Sequence, residues 1–205
     1  MCRGRTGSNA RILYVGLFGI NITKGKIVLE RNDGVISLFY RKQARAGQTV
    51  AELLKRHEEG FYLATVHRQE NTDDSGRLMN IMTALKEIAE RGPVVLPLHP
   101  RTRKHLIGME LDMGNVTCIE PVGYFDMICL LDNCRAVFTD SGGVQKEAYF
   151  FHKPCITLRD ETEWVELLEH GYNRLVGAER GRIITAEREF VQQVRDYSIL
   201  VWCVW

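Results

Sequence analysis

The sequence predicts an α/β protein in which a Rossmann-like parallel sheet carries helices on both faces. Three observations support that expectation. From Phe61 onward, short apolar runs alternate with segments whose apolar residues recur at helical spacing. The short runs are continuous rather than alternating, Ala136-Val-Phe-Thr139 being the clearest, as in strands buried on both faces. Polar motifs rich in His, Arg, Ser and Gly follow directly after those runs, where sheets of this kind bind their ligands.

Each element has its own signature. Phe61 to Val66 reads as the first strand of this region. The polar stretch Asn71-Thr-Asp-Asp74 follows as a loop. Leu78, Ile81, Met82, Leu85, Ile88 and Ala89 then mark one face of a helix that Gly92-Pro93 stops. Val94 to Leu98 is the next strand. A short helix is expected near Arg103 to Met109, a strand at Val116 to Ile119, and a helix at Tyr124 to Asn133. After the strand at Ala136, the glycines Gly142 and Gly143 open a helix ending near His152. Pro154 precedes a strand at Cys155 to Leu158, Thr162 to His170 is a helix closed by Gly171, and Asn173 to Val176 is a short strand. Thr185 is the expected N-cap of a last helix, Ala186 to Tyr197. The expected Rossmann-like domain therefore spans residues 61–197. Residues 1–60 read differently, with strand-like Arg11 to Gly19 and Lys26 to Tyr40 and a helix at Thr49 to Glu59. Residues 198–205 form an apolar tail.

Composition narrows the function classes. With 205 residues the chain can bury a substantial core, and 26% charged against 45% apolar residues is ordinary for a globular protein. A net charge of +1 gives no reason to expect nucleic acid or an anionic membrane as a partner. No apolar run approaches the roughly 18 residues that suggest a membrane span, and the N-terminus lacks a hydrophobic signal core. The six cysteines form no C-x-x-C pair and several lie in apolar runs, so a reducing cytoplasmic location is expected. His57, His105, His152 and His170 lack convergent partners, and neither a metal nor a cofactor site is expected.

The richest stretch is Ala136 to Glu147. Two adjacent glycines after a strand admit a ligand close to the main chain. The first N–H groups of the following helix, at the positive end of its dipole, suit a diphosphate. Glu147 stands four residues past Gly143, on the same helical face, where a carboxylate could accept hydrogen bonds from a ribose diol. The alternative local reading is an ordinary strand–turn–helix joint with a solvated Glu. The other strand-end motifs are His67-Arg68, His99-Pro-Arg101 and Arg159-Asp160.

Thr65-Val-His-Arg-Gln-Glu-Asn71, Pro97-Leu-His-Pro-Arg-Thr102, Thr139-Asp-Ser-Gly-Gly-Val-Gln-Lys-Glu147 and Leu158-Arg-Asp-Glu-Thr-Glu-Trp164 together resemble the non-hydrolysing UDP-N-acetylglucosamine 2-epimerases. The resemblance runs from about residue 50 to 185 and covers the C-terminal of the family's two Rossmann-like domains, a GT-B-like arrangement. It implies a UDP-sugar ligand and a reaction at C2: a base takes the C2 proton, UDP leaves C1, and UDP adds back with a proton delivered to the opposite face. It implies that Ser141, Gly142 and Gly143 bind the diphosphate, Glu147 the ribose, and that His67 is catalytic with Arg68 beside it. His99 and Arg101 match a position where some bacterial members hold a second, regulatory UDP-sugar. Arg159 and Asp160 match an Arg-Asp turn that shapes the site.

Each residue also has a structural reading. His67 could cap the following loop, Arg68 could pair with Glu70 or Asp160, and His99 before Pro100 could be a turn residue. Asp140 is expected to brace its turn. Glu163 is expected to serve the start of a helix, and Trp164 to be an edge or core aromatic. The chain departs from the family in lacking a recognisable Gly-Thr-Arg-Pro-Glu loop and the acids that shuttle the C2 proton, so it is expected to bind UDP better than it catalyses. Its implied partner is the missing N-terminal domain, or a second copy in a homodimer. Two other readings stay open: the nucleotide-sugar domain of a GT-B glycosyltransferase, and a non-catalytic UDP-sugar-binding module.

Overall fold

The computed structural model describes residues 44–109 and 111–193 together with 40–41, and the backbone of the strand residues 4–5, 11–15, 18–23 and 26–30. The apolar tail, and the end of the expected last helix beyond residue 193, lie outside the described residues.

Two sheets form. Strands β1 (Gly4–Arg5), β2 (Arg11–Val15), β3 (Phe18–Thr23) and β4 (Lys26–Glu30) pair antiparallel in chain order. The expected strand-like run Arg11 to Gly19 falls on β2 and the start of β3, and of the run Lys26 to Tyr40 the first five residues form β4, with residues 31–39 outside the described residues. Helix α1 (Gln48–Arg56) then leads to β5 (Tyr62–Thr65), as expected from Thr49 onward.

From there strand and helix alternate. A short helix α2 (Gln69–Thr72) precedes α3 (Ser75–Ala89), β6 (Val94–Pro97), α4 (Pro100–Ile107) and β7 (Val116–Ile119). Helix α5 (Tyr124–Asn133), β8 (Ala136–Thr139), α6 (Gly142–Phe150), β9 (Cys155–Thr157), α7 (Val165–Glu169), β10 (Asn173–Leu175) and α8 (Arg180–Phe190) complete the order. The six strands β5 to β10 are all parallel and lie in the order β10-β9-β8-β5-β6-β7.

Period-2 alternation divides each buried strand between two cores. Tyr62, Ala64, Leu96 and Phe138 face α3 and α8, with Leu85 and Ile183 among the fully buried partners. Phe61, Leu63, Val95 and Val137 face the opposite way, against Val50 and Leu53 of α1, Leu131 of α5 and Ala148 of α6. Helices thus cover both faces, which is why the central strands β5, β6 and β8 are buried along their whole length.

Three local expectations are corrected. The stretch read as a loop from Asn71 begins as helix α2, with Asn71 and Thr72 buried; the helix is too short for periodicity to reveal it. Helix α4 starts at Pro100, because the His99 side chain caps it by accepting from the Arg101 N–H at 3.2 Å and proline suits the first helical position. The last helix begins at Arg180, not after Thr185, which is an exposed residue within it. Gly177, at φ +66, turns the chain after β10, and Ile183, Ala186 and Phe190 then supply the buried helical stripe. Arg180-Gly-Arg182 hid that start by being polar.

Helix α8 is tied to the sheet by one buried polar contact. The Tyr62 hydroxyl donates to Glu187 at 2.8 Å, and Arg91 pairs with the same carboxylate at 2.8 Å. Burial, then the hydrogen bond and charge of Glu187, push the Tyr62 hydroxyl from 10.0 up to about 12. The native state holds this proton where the unfolded chain releases it, so the contribution is intact below pH 10 and is lost as pH rises towards 12. Denaturant titrations should show wild-type stability falling across that window more steeply than in Tyr62→Phe; equal slopes would contradict the assignment. Leu85→Ala, at a fully buried position, should lower unfolding free energy by about 2–5 kcal/mol in the same measurement.

Candidate functional site

The strand order reverses at the centre of the six-stranded sheet. After β5 the chain runs outward through β6 and β7, then returns to β8 beside β5 and runs the other way. Loops leaving β5 and β8 therefore diverge and open a crevice at their carboxyl ends, where open α/β sheets hold ligands. His67-Arg68 follows β5 and Ser141-Gly142-Gly143 follows β8, so the topology brings together two motifs more than 70 residues apart.

Asp140 fastens the two loops. Its carboxylate is fully buried and accepts from the His67 N–H at 3.0 and 3.1 Å, the Arg68 N–H at 3.0 Å and Asn71 Nδ2 at 3.1 Å. His67 Nδ1 lies 3.2 Å from Oδ1. Burial would raise the Asp140 pKa, but the His67 and Arg68 hydrogen bonds outweigh it and hold the carboxyl below its usual value. An ionised Asp140 places the hydrogen of His67 on Nδ1 and leaves Nε2 as the ring edge for a ligand. The His99 ring lies beside it, with centroids 5.5 Å apart. Below them, Thr65 and Thr139 hydroxyls meet at 2.6 Å, and Thr139 also accepts from the Ser141 N–H at 2.9 Å.

Across the crevice, α6 presents its N-terminus. Ser141 caps it by accepting from Val144 N–H at 3.5 Å. Gly142 and Gly143 supply the first two helical N–H groups, which have no intrahelical acceptor. Trp164 Nε1 donates to the Gly142 carbonyl at 2.8 Å from one side, and Lys146 lies 4.1 Å over the indole ring. A Cβ on Gly142 would stand 3.4 Å from Glu163 Oε2, 3.5 Å from Trp164 Nε1 and 3.6 Å from Arg68 Nη2. These three side chains thus line the helix start at ordinary contact distance. Glu147 is half-buried one turn further along α6.

The remaining charged residues form a lattice around the crevice. Arg68 faces Glu163 at 3.7 Å, not Glu70 or Asp160. Glu70 belongs to Arg159, which pairs with it at 2.9 Å and with both Glu163 oxygens at 2.8 and 3.0 Å. Asp160 belongs to Arg77 at 2.9 Å, and Arg77 also donates to Asn71 at 3.1 Å. Asp160 packs so closely on Gly177 that a Cβ there would stand 2.6 Å from its oxygen. Arg101 is turned to the end of α2, donating to Thr72 at 2.8 Å and to Asp73 at 2.7 Å. Asn71 and Arg77 escaped the sequence reading as site residues because their role depends on partners in distant loops; the Arg159–Glu163 spacing of four was the one local hint. Among the described residues, no group of three or more His, Cys, Asp or Glu side chains is placed to hold a metal.

Comparison with known proteins fits this geometry. The chain is 52% identical over 155 residues to the UDP-2,3-diacetamido-2,3-dideoxy-D-glucuronate 2-epimerase of Pseudomonas aeruginosa, covering 74% of this chain and 42% of that protein. It is 46% identical over 188 residues to a UDP-N-acetylglucosamine 2-epimerase homolog of Methanococcus maripaludis, covering 89% and 50%. The crystal structure of the Methanocaldococcus jannaschii UDP-GlcNAc 2-epimerase in complex with UDP-GlcNAc and UDP superposes with a TM-score of 0.72 at 34% identity, over 81% of this chain and 48% of that one. The chain spans about half the length of these relatives. Residues 7–200 match the family described as UDP-N-acetylglucosamine 2-epimerase. With that match taking in nearly the whole sequence, the chain belongs to the UDP-N-acetylglucosamine 2-epimerase family.

Proposed function

We propose that this chain carries the UDP-binding half of an epimerase that inverts C2 of a UDP-linked 2-acetamido sugar. The observation that supports it best is the α6 N-terminus standing opposite His67 and Arg68 at the switch point, with Asp140 fixing the distance between them. In this reading the Gly142 and Gly143 N–H groups and the Ser141 hydroxyl bind the diphosphate, and Glu147 binds the ribose hydroxyls. As the imidazolium, with Asp140 behind the ring, His67 donates from Nε2 to the phosphate as charge develops on departing UDP. Arg68 adds a second cation.

The chemistry is elimination and re-addition. A base takes the C2 proton, the C1–O bond breaks with its electron pair passing to the β-phosphate oxygen, and a glycal remains. UDP then returns to C1 while a proton reaches C2 from the opposite face. The carboxylates on this side of the crevice have other work: Asp140 is buried under His67 and Glu163 is held by Arg159. In this reading the base is supplied by a second domain or a second copy of the chain, since a general base must lie within hydrogen-bond reach of the carbon acid. The substrate is UDP-N-acetylglucosamine or a related 2-acetamido uronate, following the relatives' specificities. A reducing cytoplasm suits Cys134 and Cys155, whose burial pushes both thiols up to about 12 and leaves them unreactive. No described helix is long and apolar enough to cross a membrane.

Calorimetric titration should show UDP binding to the wild-type chain, with affinity falling about tenfold or more in Glu147→Ala as the ribose hydrogen bonds are lost. Failure of UDP to bind at millimolar concentration would sink the nucleotide assignment. Gly142→Ala should keep the wild-type melting temperature, because its methyl meets only ordinary contacts, yet bind UDP more weakly by crowding the helix start. The isolated chain should not exchange solvent deuterium into C2 of UDP-N-acetylglucosamine; NMR detection of C2 deuteration would show that the base resides here after all.

A further inference from the structure

Glu163 stands beside the α6 N-terminus, next to the position proposed for the phosphate. Its Oε2 lies 3.4 Å from the Cβ position of Gly142, the first residue of α6, and its Oε1 lies 3.7 Å from Arg68 Nη2. Arg159 holds it from behind at 2.8 and 3.0 Å. An anion therefore already borders the helix N-terminus and lies between two guanidinium groups, the setting that favours phosphate.

The two members of the Arg159–Glu163 pair differ in freedom. The Arg159 side chain is 7% exposed and is anchored a second time by Glu70, whereas the Glu163 side chain is 48% exposed and lies in the loop before α7. The carboxylate can swing into water without unmaking the core; the guanidinium cannot. Partial burial would raise the Glu163 pKa, but its own backbone N–H and Arg159 outweigh that and keep it below the usual value, so the group is charged at neutral pH.

We propose that Glu163 is an internal counter-anion of the nucleotide site, which the diphosphate displaces from Arg68 and the α6 N-terminus on binding. The proposal rests on the UDP reading given above. A carboxylate with one charge competes well against a neutral nucleoside or a single phosphate and poorly against a diphosphate, so the device sets affinity by ligand charge. It also keeps Arg68 from standing unpaired when the site is empty.

The test is calorimetry on the full chain with uridine, UMP and UDP at fixed ionic strength. Glu163→Gln keeps the side-chain volume and an oxygen for Arg159 while removing the charge. It should bind UDP roughly three- to tenfold more tightly than wild type, the range expected for relieving one partly solvated charge contact. The gain should shrink for UMP and vanish for uridine. Glu70→Gln, which removes the same charge from the other side of Arg159, should show no gain. Glu163→Asp, which draws the carboxylate back from Gly142, should fall between Gln and wild type, and serves if Glu163→Gln does not fold. Equal or weaker UDP binding by Glu163→Gln, the same gain with uridine, or a matching gain in Glu70→Gln overturns the proposal while leaving the UDP reading intact. Absence of UDP binding by wild type overturns both.

Discussion

The buried carboxylate of Asp140 is the constraint on which the site depends. It closes a gap that the topology opens, because loops leaving β5 and β8 diverge at the switch point and no backbone ladder continues beyond them. A buried carboxylate is costly unless every lone pair is engaged. Here two backbone N–H groups, an asparagine amide and an imidazole engage it. The carboxylate thereby dictates where His67 and Arg68 leave the sheet, and it selects the imidazole edge turned to the crevice. Removing it would leave orphaned donors on one loop and an unanchored histidine, so stability and chemistry are joined in one group.

Around that anchor the arginines are largely committed to carboxylates. Arg159 holds Glu70 of α2 and Glu163 of its own loop, Arg77 of α3 holds Asp160 after β9, and Arg101 of α4 holds Asp73 after α2. Exposed pairs of this kind add little stability singly, but together they lace the loops after β5, β6 and β9 into one rim. Attraction for an anion is thus left to a few sources: the first turn of α6, Arg68, and His67 when protonated. In the proposed reading such a site would hold a charged ligand by preorganised N–H groups more than by net charge, in keeping with a chain whose formal charge is only +1.

The division of labour follows from the same arrangement. In the proposed reading, the groups that would bind and neutralise a leaving diphosphate lie at the strand ends of this sheet. A base acting on a sugar carbon must approach from the open side of the crevice, away from the loops that Asp140 gathers. The chain spans about half the length of these relatives, and in the proposed reading it contributes the nucleotide-binding side of the reaction.

Much of this was legible in the sequence. Apolar continuity in Tyr62–Thr65, Val94–Pro97 and Ala136–Thr139 declared strands buried on both faces, and periodicity at Leu78, Ile81 and Leu85 declared the helix over them. Ser141-Gly142-Gly143 declared a helix start, since capping and glycine chemistry act over three or four residues. Short helix α2 and the start of α8 were not legible, because one lies below the length at which a period can be seen and the other begins in polar residues. The pairings were not legible either. Arg68 could have met Glu70 or Asp160 and met Glu163; Asp140 could brace only its own turn or, as it does, a loop 70 residues away. Local pattern determined the elements and the kinds of chemistry at their ends, because backbone hydrogen bonding and side-chain period are short-range. Which charged group faces which was decided only when the strand order reversed between β5 and β8, because partners in an ion pair are chosen by distance in space and not by distance along the chain.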